Sequence, residues 1–490
     1  MNTDINRIAH WSGYMATMII EGERAKAASG KTYEVRNPAT GEIVDEVPAG
    51  GPSDVDRAAR AAAKAFSTWS KLAPNKRAEI LHKAARHMLE KVEAIAPILT
   101  KEQGKTLLES RLEAQRFGEN IAWFADLADK IHGAHVSLPD TTTYGLVVRR
   151  PIGVCGAIVP WNFPLTLAAN KVAPAIAAGN TVVLKPASTT PLSTLACIEA
   201  LLEGGLPEGV VNVVLGQATG EAIVEHPLIR KIALTGSTPT GKRVMVKAAE
   251  GLKKITLELG GSDPCIVLDD ADLEAAARAI SIGRFFNCGQ ACLAVKRLYV
   301  QEGVYDALME KLIARASKLK PGNGLDKDSR MGPMHTEVQR AEVEAQIKDA
   351  IDRGARAVFG GGRPKGDAYE KGWFIEPAIL ENVPDGARMW TEEVFGPALP
   401  VRKIKDLDEG LRLANDSPFG LGSSIWTASM AAAQRGVQEL EAGYTWVNAL
   451  QIAHDELPFG GTKQSGFGKE HGVEAFLQYT EEKSVVFGGV

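Results

Sequence analysis

Apolar and polar positions follow two different rhythms along this 490-residue chain, and the change of rhythm divides it. In residues 53–70, SDVDRAARAAAKAFSTWS, the apolar positions Val55, Ala59, Ala62, Phe66 and Trp69 recur at helical spacing, and Ser53 stands where an N-cap belongs. Residues 75–100 and 106–131 read as further helices. From 151 onward short apolar runs take over at 153–160, 181–186, 210–216, 231–236 and 254–261, with helical patterns between them at 165–178, 191–203, 218–225 and 239–250. Strands that are apolar throughout and alternate with helices predict a parallel sheet covered on both faces. A second α/β series runs through 265–270, 297–301, 356–361 and 445–450. The run 142–151 looks like an extra strand leaving the first series, with 483–488 as its partner.

Length adds that this is more than one hydrophobic core, so two or three domains are expected. Hydrophobic residues make up 45% and charged residues 24%, the balance of a soluble globular protein. With 56 basic and 60 acidic side chains the net charge is −4, which gives no general attraction to nucleic acid or anionic membrane. Any bound phosphate must therefore be held by local groups. No apolar run approaches the ~20 residues of a membrane span. The apolar stretch 11–20 follows Arg7, but Asp4 precedes it and the charged EGERAK follows, so it reads as mature structure and not an export signal. Five irregularly spaced cysteines, Cys155, Cys197, Cys265, Cys288 and Cys292, suggest reduced thiols in a cytoplasmic protein, with no disulfide framework.

Parallel sheets bind ligands beyond the carboxyl ends of their strands. Three such ends carry polar or glycine residues: Pro160-Trp161-Asn162, Lys185-Pro186, and Thr235-Gly236-Ser237-Thr238 continuing to Gly241. The last is a glycine turn at a strand-to-helix junction, where backbone N–H groups can hold a pyrophosphate. The usual G-x-G-x-x-G fingerprint is absent from these strand ends, so a plain βα turn with a Ser/Thr cap is the competing reading. Lys185, fixed where the chain leaves the sheet, can meet ribose hydroxyls or phosphate, or be merely solvated.

The stretch FNCGQACLAV (286–295) places Cys288 and Cys292 four residues apart. A zinc site needs about four ligands, and neither a second cysteine pair nor a histidine nearby in sequence supplies them. Cys155, Cys197 and Cys265 suit buried, inert positions. Cys292 follows a Gly-Gln turn, where backbone amides facing the sulfur are expected to lower its pKa and make it a nucleophile. A carbonyl-attacking thiol then needs an oxyanion donor, for which Asn162 offers its amide, and a base to activate water. Glu258, at the end of an apolar strand, is expected to have the raised pKa of such a base, or else to cap a turn. Together these residues suggest oxidation through a thioester.

Taken as a set, the motifs NPATGEIV (37–44), PWNFP (160–164), KPAS (185–188), LTGSTPTG (234–241), LELGG (257–261), CGQAC (288–292), EEVFGP (392–397) and PFGGTKQSG (458–466) resemble the NAD(P)-dependent aldehyde dehydrogenase superfamily, of the hydrolytic, non-acylating type. The resemblance implies an α/β fold with a Rossmann-like cofactor domain (1–131 and 152–260), an α/β catalytic domain (261–445), a small β oligomerisation element (132–151 and 470–490) and a substrate-site loop (446–469). It implies that Cys292 attacks the aldehyde, that Asn162 and the Cys292 N–H hold the oxyanion, and that Glu258 activates water, with Lys171 and Glu470 as a proton relay. Cofactor contacts would come from Pro160, Trp161, Lys185, Ser188, Gly236, Ser237, Gly241, Glu258, Leu259, Glu393 and Phe395. Many NAD-preferring relatives carry glutamate where Ser188 stands, so use of both NAD and NADP is expected, leaning to NADP. A substrate tunnel would be lined by Phe163, Leu167, Asn170, Phe286, Leu293, Leu450, His454 and Phe459, suiting a small polar or semialdehyde-type substrate. Relatives acting on succinate semialdehyde often carry arginine in place of Asn170, which puts that substrate in doubt. An acylating enzyme that uses coenzyme A would usually lack Glu258, and a non-catalytic protein on this fold would not need the full set of Cys292, Glu258 and Asn162. A homodimer or homotetramer is expected. Cys288 is either packing or a redox partner of Cys292.

Overall fold

The computed structural model describes residues 16–140 and 142–488; the start of the 11–20 segment, with Asp4 and Arg7 before it, lies outside them. The strands predicted between 151 and 261 form one sheet whose five parallel members run in the spatial order Val211–Val213, Thr181–Lys185, Val154–Ile158, Ile229–Thr235, Lys254–Glu258. In chain order this is third, second, first, fourth, fifth. Connections therefore diverge between Val154–Ile158 and Ile229–Thr235, and that point of divergence opens a crevice at the carboxyl ends. Thr181–Lys185 is buried at every position, the reason its sequence shows no alternation. At one edge Ile19 of Met18–Ile20 pairs antiparallel with Val213. At the other, Gly466–Phe467 pairs antiparallel with Leu257 and Glu258, so a late segment of the chain closes the first sheet.

The second sheet orders Arg356–Gly360, Ala378–Glu381, Ala398–Ile404, Val295–Gln301, Asp263–Val267, Gly422–Trp426 and Tyr444–Val447, all parallel except the first. A third sheet pairs Thr480–Phe487 antiparallel with Tyr144–Pro151 along its whole length, and Ala134–Ser137 flanks the latter. Each of the two large sheets has its own apolar cluster, one including Phe117, Val183 and Ile232, the other Leu298, Leu380 and Leu399.

Two expectations change, and one strand was not read. The helix read over 75–100 is two helices, Pro74–Glu90 and Val92–Gln103, broken at Lys91 (φ −94°, ψ −1°). Buried Met88 and Ile95 lie two helical turns apart, so the apolar stripe passes through the break without a change of period. Ser53 is not the N-cap of its helix, which begins at Pro52 after Gly51. Asp54 does the capping, its carboxylate accepting from the Gly51 N–H at 3.0 Å. Ala134–Ser137 is exposed at every position and so carries no apolar alternation by which to be read.

Candidate active site

Helix Leu273–Phe285 ends in a tight turn, Phe286–Gly289, that delivers Cys292 to the region between the two large sheets. Asn287 (φ 51°), Cys288 (φ 55°) and Gly289 (φ 70°) are all left-handed. A β-carbon at 289 would lie 2.4 Å from the Gly396 carbonyl oxygen, so glycine is required there on space as well as on φ. The strain at Asn287 is held by its bonds: its N–H donates to Glu109 Oε1 at 2.7 Å, and its side-chain amide donates to the Asn162 carbonyl at 2.9 Å. Buried Arg284 donates to the carbonyls of Gly289, Val295 and Val394, stitching the loop to the second sheet. The two cysteines part here. Cys288 is buried, with its thiol 3.7 Å from Met334 Sδ in the second core. Cys292 is half-buried beside Leu421, Trp446 and Phe459.

Glu258 ends its strand fully buried, and neither carboxylate oxygen makes a hydrogen bond of good geometry. Burial, then the nearby Glu470 carboxylate, push its pKa up to about 8; Lys171 and the Cys292 thiol work in the opposite direction. The expectation for the thiol itself is reversed. Burial and the Glu258 carboxylate hold the Cys292 pKa well above the ordinary value, and Lys296 opposes them only in part. The Lys296 ammonium donates to the Cys292 carbonyl at 2.7 Å and to the Gly261 carbonyl at 2.8 Å. Asn162 is buried, and one of its two amide hydrogens goes to the Gln290 carbonyl at 3.2 Å. Lys105, missed in the sequence because it lies in a short link between two helices and far from Asn162 in the chain, donates to the Asn162 carbonyl at 2.8 Å and pairs with buried Glu113.

Lys171 and Glu470 form a buried ion pair, and Lys171 also donates to Thr235 Oγ1 at 2.6 Å. Asn170 departs from its expected place in the pocket lining. Its amide nitrogen is turned to Glu470 Oε2 at 3.2 Å and to His471 Nε2 at 3.0 Å. Asp455, His471 and Arg116 complete this group and were not legible as such, because they converge from segments over three hundred residues apart. Of the other expected lining residues, Phe163 and Phe286 stack at 6.1 Å, Leu293 and Phe459 pack beside Cys292, and Leu167 is buried. Leu450 packs against the second core and His454 is exposed.

The residues fit a nicotinamide dinucleotide at several points. Lys185 is a buried ammonium whose bond is to its neighbour's carbonyl, Pro186 O at 3.2 Å, and burial holds its pKa down to about 8. Such a cation suits ligand hydroxyls. Half-buried Ser188 brings no charge beside it. Helix Thr238–Glu250 starts at Ser237, and a β-carbon on Gly241 would meet Leu259 Cδ2 at 2.5 Å, so glycine lets the helix close on the strand end. Gly236, expected to offer its N–H to phosphate, spends it on the Glu258 carbonyl at 3.0 Å. The anion-facing N–H groups therefore begin at Ser237. Glu393 pairs with Lys296 and accepts from the Gly261 N–H at 3.2 Å. The Phe395 ring stands edge-on to Trp161 at 5.7 Å, and Trp161 stacks on His335 at 4.5 Å. Burial presses the His335 imidazole down to about 4, so it is neutral.

The site thus sets a dinucleotide-type crevice beside a half-buried thiol and a buried carboxylate. The aldehyde dehydrogenase family model matches residues 25–485, and the chain belongs to that family. It is 42% identical to 3-sulfolactaldehyde dehydrogenase of Pseudomonas putida over 96% of each chain, and 41% identical to glutarate-semialdehyde dehydrogenase of Pseudomonas aeruginosa over 96% of this chain and 97% of the relative. Among solved structures it resembles an NADP-dependent enzyme of E. coli (TM-score 0.95, 39% identity, 97% of this chain and 98% of the other). It also resembles betaine aldehyde dehydrogenase of Staphylococcus aureus in complex with NAD+ (TM-score 0.94, 35% identity, 98% and 96%). The protein is an aldehyde dehydrogenase that uses a nicotinamide cofactor. No helix among the described residues is long and apolar enough to cross a membrane.

Proposed function

We propose that this enzyme oxidises a small polar or semialdehyde-type aldehyde to its carboxylic acid through a thioester on Cys292, released by hydrolysis. The observation that carries the reading is the Cys292 thiol set against a buried Glu258 carboxylate that has no other hydrogen-bond partner. A carboxylate with a pKa of about 8 is basic enough to take the thiol proton as the sulfur attacks, and later to draw a proton from water. The free amide hydrogen of Asn162 and the Cys292 N–H stabilise the oxyanion of the thiohemiacetal. The bound nicotinamide supplies the hydride acceptor. Lys185, Ser188, Ser237 and the start of helix Thr238–Glu250 hold its adenosine and pyrophosphate side, with Gly236, Gly241 and Leu259 shaping the turn. Glu393, Phe395, Pro160 and Trp161 hold the reactive end. Lys171 and Glu470 move protons to and from Glu258.

Specificity is read from the lining. Phe163, Leu167, Phe286, Leu293 and Phe459 are apolar and bring no cation, which disfavours a dedicated succinate-semialdehyde enzyme. The two curated relatives act, by their names, on aldehydes with an anionic far end, so glutarate semialdehyde and 3-sulfolactaldehyde belong in the substrate panel. Ser188 supports use of both cofactors with NADP preferred, in a cytoplasmic homodimer or homotetramer. The test follows reduced-cofactor absorbance across that panel with NAD and NADP, and assays acid without coenzyme A. Acid formation that disappears in Cys292→Ala is expected. Undiminished activity of that variant, or product only with coenzyme A, overturns the reading.

A further inference from the structure

Behind Glu258 the chain builds a second layer of polar contacts that the reaction does not obviously need. His471 stands at φ 55°, a backbone conformation that side-chain-bearing residues rarely adopt. It is held there because Glu470 and Phe459 exchange backbone hydrogen bonds at 2.6 Å and the Gly472 N–H donates to the Asp455 carbonyl at 2.8 Å. The imidazole is buried, with Nδ1 2.8 Å from Asp455 Oδ1 and Nε2 3.0 Å from the Asn170 amide nitrogen. Asp455 Oδ1 also accepts from Arg116 at 2.7 Å and from Asn120 at 3.1 Å. Burial pushes the Asp455 carboxyl up, but these donors, with His471 foremost, hold it below the ordinary range, so it is ionised.

The donor arithmetic fixes the protonation of the ring. The Asn170 amide has two hydrogens; one goes to Glu470 Oε2 at 3.2 Å and the other to His471 Nε2. Nε2 is then an acceptor, and the ring proton sits on Nδ1 facing Asp455. The Asn170 carbonyl oxygen is buried without a partner, which shows how strongly the amide orientation is imposed by the other two contacts. Turning the amide over would set that oxygen against the Glu470 carboxylate. Without an acceptor at Nε2 the amide loses one of the two contacts that hold it turned towards Glu470. The charged or titratable groups around the ring are Asp455 from the 451–459 loop, Arg116 from helix Leu107–Leu127, Lys171 from helix Pro164–Ala177, and Glu470. Glu470 in turn is the largest electrostatic influence on Glu258 after burial.

We propose that His471 is a positioning residue for hydrolysis of the acyl-enzyme: clamped by Asp455, it accepts from Asn170 and orients that amide so that Glu470 stays in its pair with Lys171 beside Glu258. This rests on the reading of Glu258 as the hydrolytic base. Single turnovers of propanal with excess enzyme and NADP, followed for reduced cofactor by absorbance and for propanoate by rapid quench at pH 8, separate the two steps. In His471→Phe, cofactor reduction keeps its wild-type rate while acid release slows about tenfold. In His471→Gln, whose amide oxygen can accept from Asn170, acid release returns towards wild type. The inference is overturned if His471→Phe releases acid at the wild-type rate, or if both steps slow equally, since loss of fold would slow both. A Glu258→Gln enzyme that still releases acid would defeat the parent reading instead. With Glu258 essential and the His471 variants unchanged, only the present inference falls.

Discussion

Glu258 is costly to ionise where it stands, and the cost has a direction that can be measured. Its pKa of about 8 lies above that of an ordinary glutamate at 4.5, so between these values the folded protein keeps a proton that the unfolded chain has lost. Stability must therefore fall as pH rises through that window, and the penalty is fully present only above about 8. Glu258→Gln removes it: melting temperatures should match the wild type at pH 4.5 and exceed it by a few degrees at pH 8.5. A gap that is the same at both pH values would count against the assignment. Turnover of the wild type should rise with pH between 7 and 9 as the base form accumulates. At this scale the sequence was informative where chemistry follows residue type and strand position. Glu258 could be singled out because it ends an apolar strand, and Asn162 because it follows one. The Cys292 environment was misread because the Gly-Gln turn is local, whereas the carboxylate that raises the thiol pKa arrives from a different strand. His335, Lys105 and Asp455 look like any other polar residue until the fold brings them in.

Helices here are anchored by carboxylates borrowed from elsewhere in the chain. Glu113 accepts from the N–H groups of Leu165 at 2.8 Å and Thr166 at 3.3 Å, capping the helix that carries Asn170 and Lys171. Glu102 does the same for Leu192 at 2.7 Å and Ser193 at 2.8 Å. Negative charge at a helix N-terminus is favourable, and Glu113 is further neutralised by buried Lys105. Lys105→Met leaves that carboxylate buried with its counter-ion gone and should cost about 3–5 kcal/mol in denaturant unfolding. A double variant with Glu113→Gln should recover part of the loss, and strict additivity of the two would mean the pair is not coupled. Such caps are invisible to local pattern reading, which looks for them within three residues of the helix start. The same limit hid the break at Lys91. Gly289→Ala should likewise cost several kcal/mol and slow turnover, since its β-carbon has no room beside Gly396. An unchanged melting temperature would show that the left-handed turn is not required.

At the scale of the whole molecule, the order of elements was readable because each strand of a covered parallel sheet is an uninterrupted apolar run. The spatial order of those strands was not, since it depends on which neighbours each strand chooses. Two predictions belong here. Ser188→Glu places a carboxylate near the buried Lys185 and should shift the ratio of NADP to NAD specificity constants towards NAD by at least tenfold; an unmoved ratio would put the discriminating contact elsewhere. If the three-stranded sheet bridges subunits, removing residues 480–490 strips Tyr144–Pro151 of a partner along its full length and should yield a monomer on size exclusion. One arrangement also bears on how the enzyme is made. Gly466–Phe467 closes the edge of a sheet begun by Met18–Ile20, and Glu470 pairs with Lys171, which lies 299 residues earlier. A ribosome must therefore have passed Glu470 before this pocket can form. Products terminated between Cys292 and Gly466 carry the thiol but lack the strand that closes the first sheet.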